Sequence, residues 1–223
     1  MTVLVLSKTK NPHIYKLLSD CIESASPYSV VVVETNTEQE MNILKLWEYK
    51  NKLQPITSKA KFIFPNKPFN YNEFLNIGLS YIEDNKIIIS NNDVLFHKDC
   101  LNILNDKLND YDSVSPFDTN NLDHKQGFIL KEGYQVGKEV TGCCIGLTAN
   151  TLKEIGKFDE QFSFWYQDND YANLLKLKNL KHCLIEDAKI THFSRQSHEL
   201  IKESLYEMTH GLEKNYNKKW SNE

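Results

Sequence analysis

The 223-residue chain reads as an α/β protein, a mostly parallel central sheet flanked by helices, with a more irregular C-terminal part. Three observations carry that reading. Short apolar runs at residues 3–6, 30–33, 62–64 and 87–89 suit strands buried on both faces. The stretches between them place apolar residues at helical spacing. Polar residues able to meet a ligand, Ser7, Glu34 and Asn91 to Asp93, fall at the carboxyl ends of those runs, where open α/β sheets bind.

Each element has its own signal. Asn11 can cap a helix that Pro12 enters in its first turn, and Ile14, Leu17, Leu18, Cys21 and Ile22 form one apolar stripe. Thr37 and Glu40 are spaced as a capping box ahead of Met41, Leu44 and Trp47. Asn70 and Glu73 open a further helix, on which Phe74, Ile77, Tyr81 and Ile82 are expected to face inward. After about residue 115 the texture changes. Residues 116–138 hold Pro, Asp, Asn and Gly with few apolar residues and predict a long loop or hairpin over the sheet. A strand is expected over 140–147, then a helical turn over 152–155 that Gly156 can close. A helix over 171–180, strands over 182–185 and 188–193, and a last helix carrying Ile201, Leu205, Met208 and Leu212 complete the chain. Without repeats, low-complexity tracts or a linker, residues 1–223 are expected to form one domain.

Bulk properties exclude several classes. Hydrophobic content of 40% and charge of 25% are ordinary for a soluble globular protein. No apolar run approaches the roughly 20 residues that span a bilayer, so no integral membrane segment is expected. The N-terminal apolar stretch is too short for a signal sequence and has no basic region ahead of it. A net charge of -4 gives no global pull toward nucleic acid or anionic lipid. The five cysteines, Cys21, Cys100, Cys143, Cys144 and Cys183, are odd in number and include no CxxC pair. A reduced, cytoplasmic protein without a zinc site is the expectation.

Three segments carry chemistry. Residues 87–96 run a buried strand into Asn91, Asn92 and Asp93, hard oxygen ligands suited to Mn²⁺ or Mg²⁺ on a diphosphate, although a plain solvated turn uses the same residue types. Residues 156–180 set Phe162, Phe164, Trp165 and Tyr166 directly before Asp168 and Asp170. Acids at a helix start answer its dipole, which accounts well for Asp170. A row of aromatics beside a carboxylate also makes a platform for a sugar, with the acid as general base. Residues 188–193 end on His192, followed by the polar run Ser194, Arg195, Gln196 and Ser197. A lone histidine is more often a hydrogen-bonded residue than a ligand, and His192 gains meaning only as a partner of Asp93.

In this order the segments resemble the GT-A-fold glycosyltransferases, specifically the large family 2 group. Asn91-Asn92-Asp93 resembles the DxD signature after the fourth strand, as an NxD variant. Gly142-Cys143-Cys144 with Ile155-Gly156-Lys157-Phe158-Asp159-Glu160 resembles the family's middle block, and Gln167-Asp168-Asn169-Asp170 its Glu-Asp-x-Asp block. The strand ending in His192, the Asn76-Ile77-Gly78 helix and Lys219-Trp220 match further features, so the resemblance runs from residue 3 to 220. Asn91 replaces the usual first aspartate and Gln167 the usual glutamate.

The resemblance implies a GT-A fold, with a nucleotide-sugar half over about residues 1–115 and an acceptor-side, catalytic half over about 116–223. It implies inverting transfer from a nucleotide-sugar, most often a UDP-sugar, in which Asp168 is the general base and Asp93 and His192 hold Mn²⁺ or Mg²⁺. Ser7 and Glu34 would contact the nucleoside, Asn91 the ribose or metal shell, and Asn76 and Asn92 belong to the donor site. Trp165, Tyr166 and Asp170 would serve the sugar or acceptor. The acceptor class stays open among a glycan, a lipid-linked sugar, a small molecule, a protein and a modified base in DNA. Two other classes compete. A nucleotidyltransferase would carry a Gly-rich basic loop where this chain has Ser7-Lys8-Thr9-Lys10-Asn11. A non-catalytic sugar-binding module would have no need of Asp93, Asp168 and His192 together.

Overall fold

The computed structural model describes residues 1–9, 11–37, 39–41, 58–124, 127–193 and 205–221, the side chains of 205–210 excepted. Their elements run β1 (Thr2–Ser7), α1 (Pro12–Ser24), β2 (Ser29–Glu34), β3 (Lys61–Ile63), α2 (Tyr71–Leu79), β4 (Lys86–Asn91) and β5 (Val94–Phe96). There follow α3 (Cys100–Lys107), β6 (Ser113–Asp118), β7 (Leu130–Glu132), β8 (Cys144–Thr148), α4 (Ala149–Ile155), α5 (Gln167–Leu177), β9 (His182–His192) and α6 (Leu205–Trp220). The described strands form one sheet in the order β3-β2-β1-β4-β8-β6-β9-β5, with β7 on β9. The β3-β2-β1-β4 half is parallel throughout. Beyond it, β8 runs antiparallel to both neighbours, β6 and β9 pair parallel, and β5 returns antiparallel on β9.

The apolar runs 3–6, 30–33 and 87–89 are buried on both faces, whereas 62–64, on the edge strand β3, is only partly buried. Val3, Val5, Val30, Val32 and Ile88 pack with Tyr15, Leu18, Cys21 and Ile22 of α1 and with Leu101 and Leu104 of α3. Their alternating neighbours Leu4, Leu6, Val31, Val33, Ile87 and Ile89 pack on the other face against Phe74 and Leu75 of α2 and Tyr171 and Leu175 of α5. Period-two alternation on each strand thus feeds two cores. No helix among the described residues is long and apolar enough to cross a membrane.

The caps form as their spacing predicts. Asn11 accepts from Ile14 N at 2.9 Å, and Thr37 and Glu40 exchange reciprocal bonds, Thr37 N to Glu40 Oε2 at 2.7 Å and Glu40 N to Thr37 Oγ1 at 3.2 Å. Leu44, Trp47, the run 194–197 and Ile201 lie outside the described residues, as do the side chains of Leu205 and Met208, while Leu212 is buried. Asn70 caps α2 through Glu73 N at 3.2 Å.

Four expectations change. The helix α2 ends at Leu79, so Tyr81 is released from helical phase; it is half exposed and lies under the Lys61 ammonium at 4.7 Å. Residues 113–118, partly assigned to a loop, form the wholly buried inner strand β6. Its Pro116 sits at a shift in register against β9, one of the few places where a sheet tolerates a residue without an N–H. The two strands expected after residue 181 are one continuous strand, β9. The strand expected from residue 140 begins only at Cys144, leaving Gly142 and Cys143 in a turn at the sheet's edge of polar residues.

Candidate active site

The carboxyl ends of β1, β2 and β4 converge. Ser7 closes β1, and its hydroxyl lies 3.0 Å from Thr9 Oγ1 and accepts from Asn92 Nδ2 at 3.1 Å. Glu34, fully buried at the end of β2, accepts from Thr9 N at 3.1 Å, Thr9 Oγ1 at 2.7 Å and Asn36 N at 3.0 Å. A buried carboxylate is tolerable only with such partners. Glu34 therefore shapes the 7–9 loop at the strand ends. Asn91 N donates to Cys143 O at 2.9 Å, which fixes the Asn91–Asp93 turn to the segment ahead of β8.

Asp93 and His192 meet across the β5–β9 pairing, in which Val94 stands opposite His192 and Phe193 N donates to Asp93 O at 2.9 Å. Asp93 Oδ1 lies 3.2 Å from His192 Nε2. That is close to the roughly 3 Å between neighbouring ligands of an octahedral Mg²⁺-class ion. A hard oxygen beside an imidazole nitrogen fits a divalent cation. Burial opposes a charge on His192, but hydrogen bonds and charge from Asp93 and Cys143 prevail and raise its pKa to about 10. The Asp93 carboxylate beside the imidazole favours positive charge at this point. Behind it, Asp118 Oδ1 accepts from His192 N at 3.1 Å and Asn120 N at 3.0 Å.

The second half of the site is the start of α5. Tyr166, with φ of 66°, turns the chain into the helix at Gln167. Asp168 Oδ1 accepts from its neighbour Asn169 N at 2.9 Å, and burial raises its pKa above the usual carboxylate range. Gly142 faces it so closely that a Cβ there would lie 2.5 Å from Asp168 Oδ2. A small cavity joins Asp168 and Gln167 to Tyr71, Asn72, Gly142 and Phe158. Tyr71 lines the same cavity as Asp168, and its hydroxyl lies 3.5 Å from Asn91 Oδ1, so it stands between the two halves of the site; burial, and then the charge of Asp168, pushes its phenol well up.

Other predicted residues serve construction. Asn76 Nδ2 donates to Phe158 O at 2.9 Å and Glu160 Oε1 at 3.0 Å, while its Oδ1 accepts from Phe158 N at 3.0 Å. With Asn72 Nδ2 on Asp159 O and Asn70 Nδ2 on Glu160 O, both at 2.8 Å, it fastens α2 to residues 158–160. Asp170 is 2% exposed and does not line the cavity; it pairs with Lys219 Nζ at 2.8 Å and accepts from Trp220 Nε1 at 2.9 Å. Trp165 packs edge-on against Phe164, and Tyr166 stacks on Tyr216 of α6 at 5.0 Å. Asp118, Cys143, Tyr71 and Asn72 were not singled out as site residues; Cys143 had a motif signal beside Gly142, Tyr71 and Asn72 had one in the run Phe69-Asn70-Tyr71-Asn72, and Asp118 had none.

No protein-family model matches the chain, and no curated protein sequence matches it. Solved structures do. TarS 1-349 of S. aureus matches with a TM-score of 0.61 at 17% identity, over 86% of this chain and 59% of that one. Mannosyltransferase PcManGT from Pyrobaculum calidifontis, solved with GDP-Man and Mn²⁺, matches at 0.60 and 15% identity, over 89% and 59%. GalNAc-T7, solved with UDP, GalNAc and Mn²⁺, matches at 0.66 and 11% identity, over 86% and 43%. The chain thus spans less than two thirds of each of these structures. At such identities the likeness is one of fold, and the fold is that of the GT-A glycosyltransferases.

Proposed function

We propose that this chain is a metal-dependent, inverting glycosyltransferase, a single GT-A domain that moves a sugar from a nucleoside diphosphate sugar to an acceptor hydroxyl. The observation that carries the reading is a division of labour on a GT-A sheet. A charge-holding Asp93–His192 pair lies at the strand ends, and a separate, desolvated Asp168 lies at the start of α5. A UDP-sugar is the favoured donor; UDP-GlcNAc is bound in one TarS structure and UDP in that of GalNAc-T7.

Asp93 and His192 would hold Mn²⁺ or Mg²⁺, which supplies charge neutralisation to the departing diphosphate. Asp168 takes the proton as the acceptor O–H bond breaks. The freed oxygen forms a bond to the anomeric carbon, and the bond from that carbon to the diphosphate breaks with its electron pair on the nucleotide. Burial raises the basicity of Asp168 and so helps it keep the proton it removes. Ser7 and Asn92 line the nucleoside end, and Glu34 acts there by holding Thr9 in place. Asn76 acts by fastening α2.

Nucleotide-sugars screened with Mn²⁺ for hydrolysis and thermal stabilisation identify the donor, and acceptors are then tried with the donor that binds. Asp168→Asn should keep donor affinity and lower single-turnover transfer by about 100-fold or more. Normal transfer in that variant removes the assignment of Asp168. Stabilisation by a nucleotide-sugar without turnover on any acceptor class would turn the reading into one of a binding module.

A further inference from the structure

His192 is shared by two groups of ligands. One is the pair with Asp93. The other consists of Asp118, Cys143 and His192, which offer one ligand atom each, all within 4.8 Å of one another. The transfer reaction proposed above uses neither Asp118 nor Cys143. Both are nearly buried, at 6% and 8% exposure. Asp118 is oriented by the two backbone N–H groups on its Oδ1, so its remaining lone pairs belong largely to Oδ2. The Cys143 sulfur lies within 4.8 Å of a His192 ring nitrogen. The sheet brings these residues together: Asp118 ends β6, His192 ends β9, and Cys143 enters β8.

We propose that Asp118, Cys143 and His192 form a second, thiophilic cation site, of the class that takes Zn²⁺, Co²⁺ or Cd²⁺, and that filling it opposes the Asp93–His192 site. The antagonism rests on the reading of Asp93 and His192 as the donor-site metal ligands; the thiophilic site itself does not. One sulfur, one imidazole nitrogen and one carboxylate oxygen suit a tetrahedral ion with a fourth position open. Neighbouring ligands of such an ion stand about 3.3–3.7 Å apart, so side-chain shifts of about 1 Å complete the shell. On binding, the S–H bond of Cys143 and one ring N–H bond of His192 break, both protons go to solvent, and the freed sulfur and nitrogen lone pairs go to the metal. Two features make the sites compete. His192 serves both, and two dications a few ångströms apart repel strongly in a partly buried site. By linkage, each ion weakens the other equally.

Co²⁺ titrated into the full chain without nucleotide tests the site. A sulfur-to-cobalt charge-transfer absorption should saturate at one equivalent, vanish in Cys143→Ser and persist in Cys183→Ala. Asp118→Asn leaves the thiol untouched; it should weaken cobalt binding by at least about tenfold and keep the absorption at saturation. Calorimetry of UDP binding in Mn²⁺ tests the antagonism. Zn²⁺ should lower UDP affinity by about tenfold or more in the wild-type chain and have no such effect in Cys143→Ser. Absence of the absorption, or its survival in Cys143→Ser, overturns the thiophilic site. An absorption that behaves as expected, with UDP affinity unmoved by Zn²⁺, overturns the antagonism. Failure of the wild-type chain to bind UDP in Mn²⁺ would instead strike the proposed function and leave the cobalt result standing.

Discussion

Gly142→Ala tests the role proposed for Asp168. Gly142 has no left-handed backbone angle, so alanine fits its backbone and the whole perturbation is the added methyl group. That methyl would stand 2.5 Å from Asp168 Oδ2 and 3.3 Å from its Cβ and Cγ. Ordinary contact begins near 3.4 Å, so the carboxylate must withdraw by about 0.9 Å (3.4 minus 2.5). Misplacing a reacting group by about 1 Å costs on the order of 100-fold, about 2.7 kcal/mol of barrier. Single-turnover transfer at saturating donor should therefore fall about 100-fold, while calorimetry returns an unchanged donor affinity. The decisive comparison is the double variant Gly142→Ala/Asp168→Asn. Both changes act through one carboxyl group, so the pair should be no slower than Asp168→Asn alone. Full additivity in that cycle, or wild-type turnover in Gly142→Ala, would refute the reasoning.

Further outcomes follow from the same geometry. Asp170→Asn breaks a pairing with Lys219 and Trp220 rather than a catalytic contact; urea denaturation should register a loss of about 1–3 kcal/mol, with transfer changed only a few-fold. Collapse of turnover in that variant, with stability intact, would move the base from Asp168 to Asp170. Asp93→Ala, or chelation of the wild-type chain, should lower calorimetric UDP affinity in Mn²⁺ by at least about tenfold, and His192→Ala should do so less strongly. His182 is 1% exposed, bonded to Ser113 Oγ at 2.8 Å and Glu139 O at 3.0 Å, and burial lowers its pKa from 6.5 to about 4. Its neutral form is the folded one, so its stabilisation is complete above pH 6.5 and is lost as pH falls through about 4. The loss amounts to roughly 3 kcal/mol, and urea curves of His182→Gln should show that much less acid sensitivity than wild type.

The parallel half of the fold was legible because its strands are short apolar runs with polar ends and its helices carry side-chain caps. Asp168, Asp93 and His192 could be singled out because they stand at or next to the ends of elements whose periodicity is clear. The strand β6 was not. Ser113, Ser115 and Asp118 read as loop residues, and only tertiary partners reveal why they are buried. Tyr171 and His182 satisfy Ser113, Thr141 N satisfies Ser115, and a register shift accommodates Pro116. For the same reason Asp118 and Cys143 could not be joined to His192, since no spacing rule connects three strand ends. The aromatic row suggested a sugar platform, yet periodicity cannot tell which way a loop aromatic faces. Trp165 lies against Phe164 and Tyr166 against Tyr216. Gln167 was seen as a departure from the family pattern; its side-chain oxygen is buried without a partner beside Asp168, so it lines the cavity as an acceptor.

The position of β9 has a consequence for biosynthesis. It pairs with β5, β6 and β7, so β5 and β7 have no sheet partner, and β6 only β8, until it leaves the ribosome. The parallel β1-β2-β4 unit can assemble during translation, but Asp93 waits for a partner almost a hundred residues downstream. A nascent chain stalled before residue 182 would expose the edges of β5 and β6, the kind of surface chaperones shield. Release of a few dozen more residues would seat those strands and create the cation site in one event. On the proposed reading of Asp93 and His192 as metal ligands, metal loading is a late step in the life of each molecule, and pulse-labelled chains should gain protease resistance in their C-terminal half at the same moment that they begin to retain Mn²⁺.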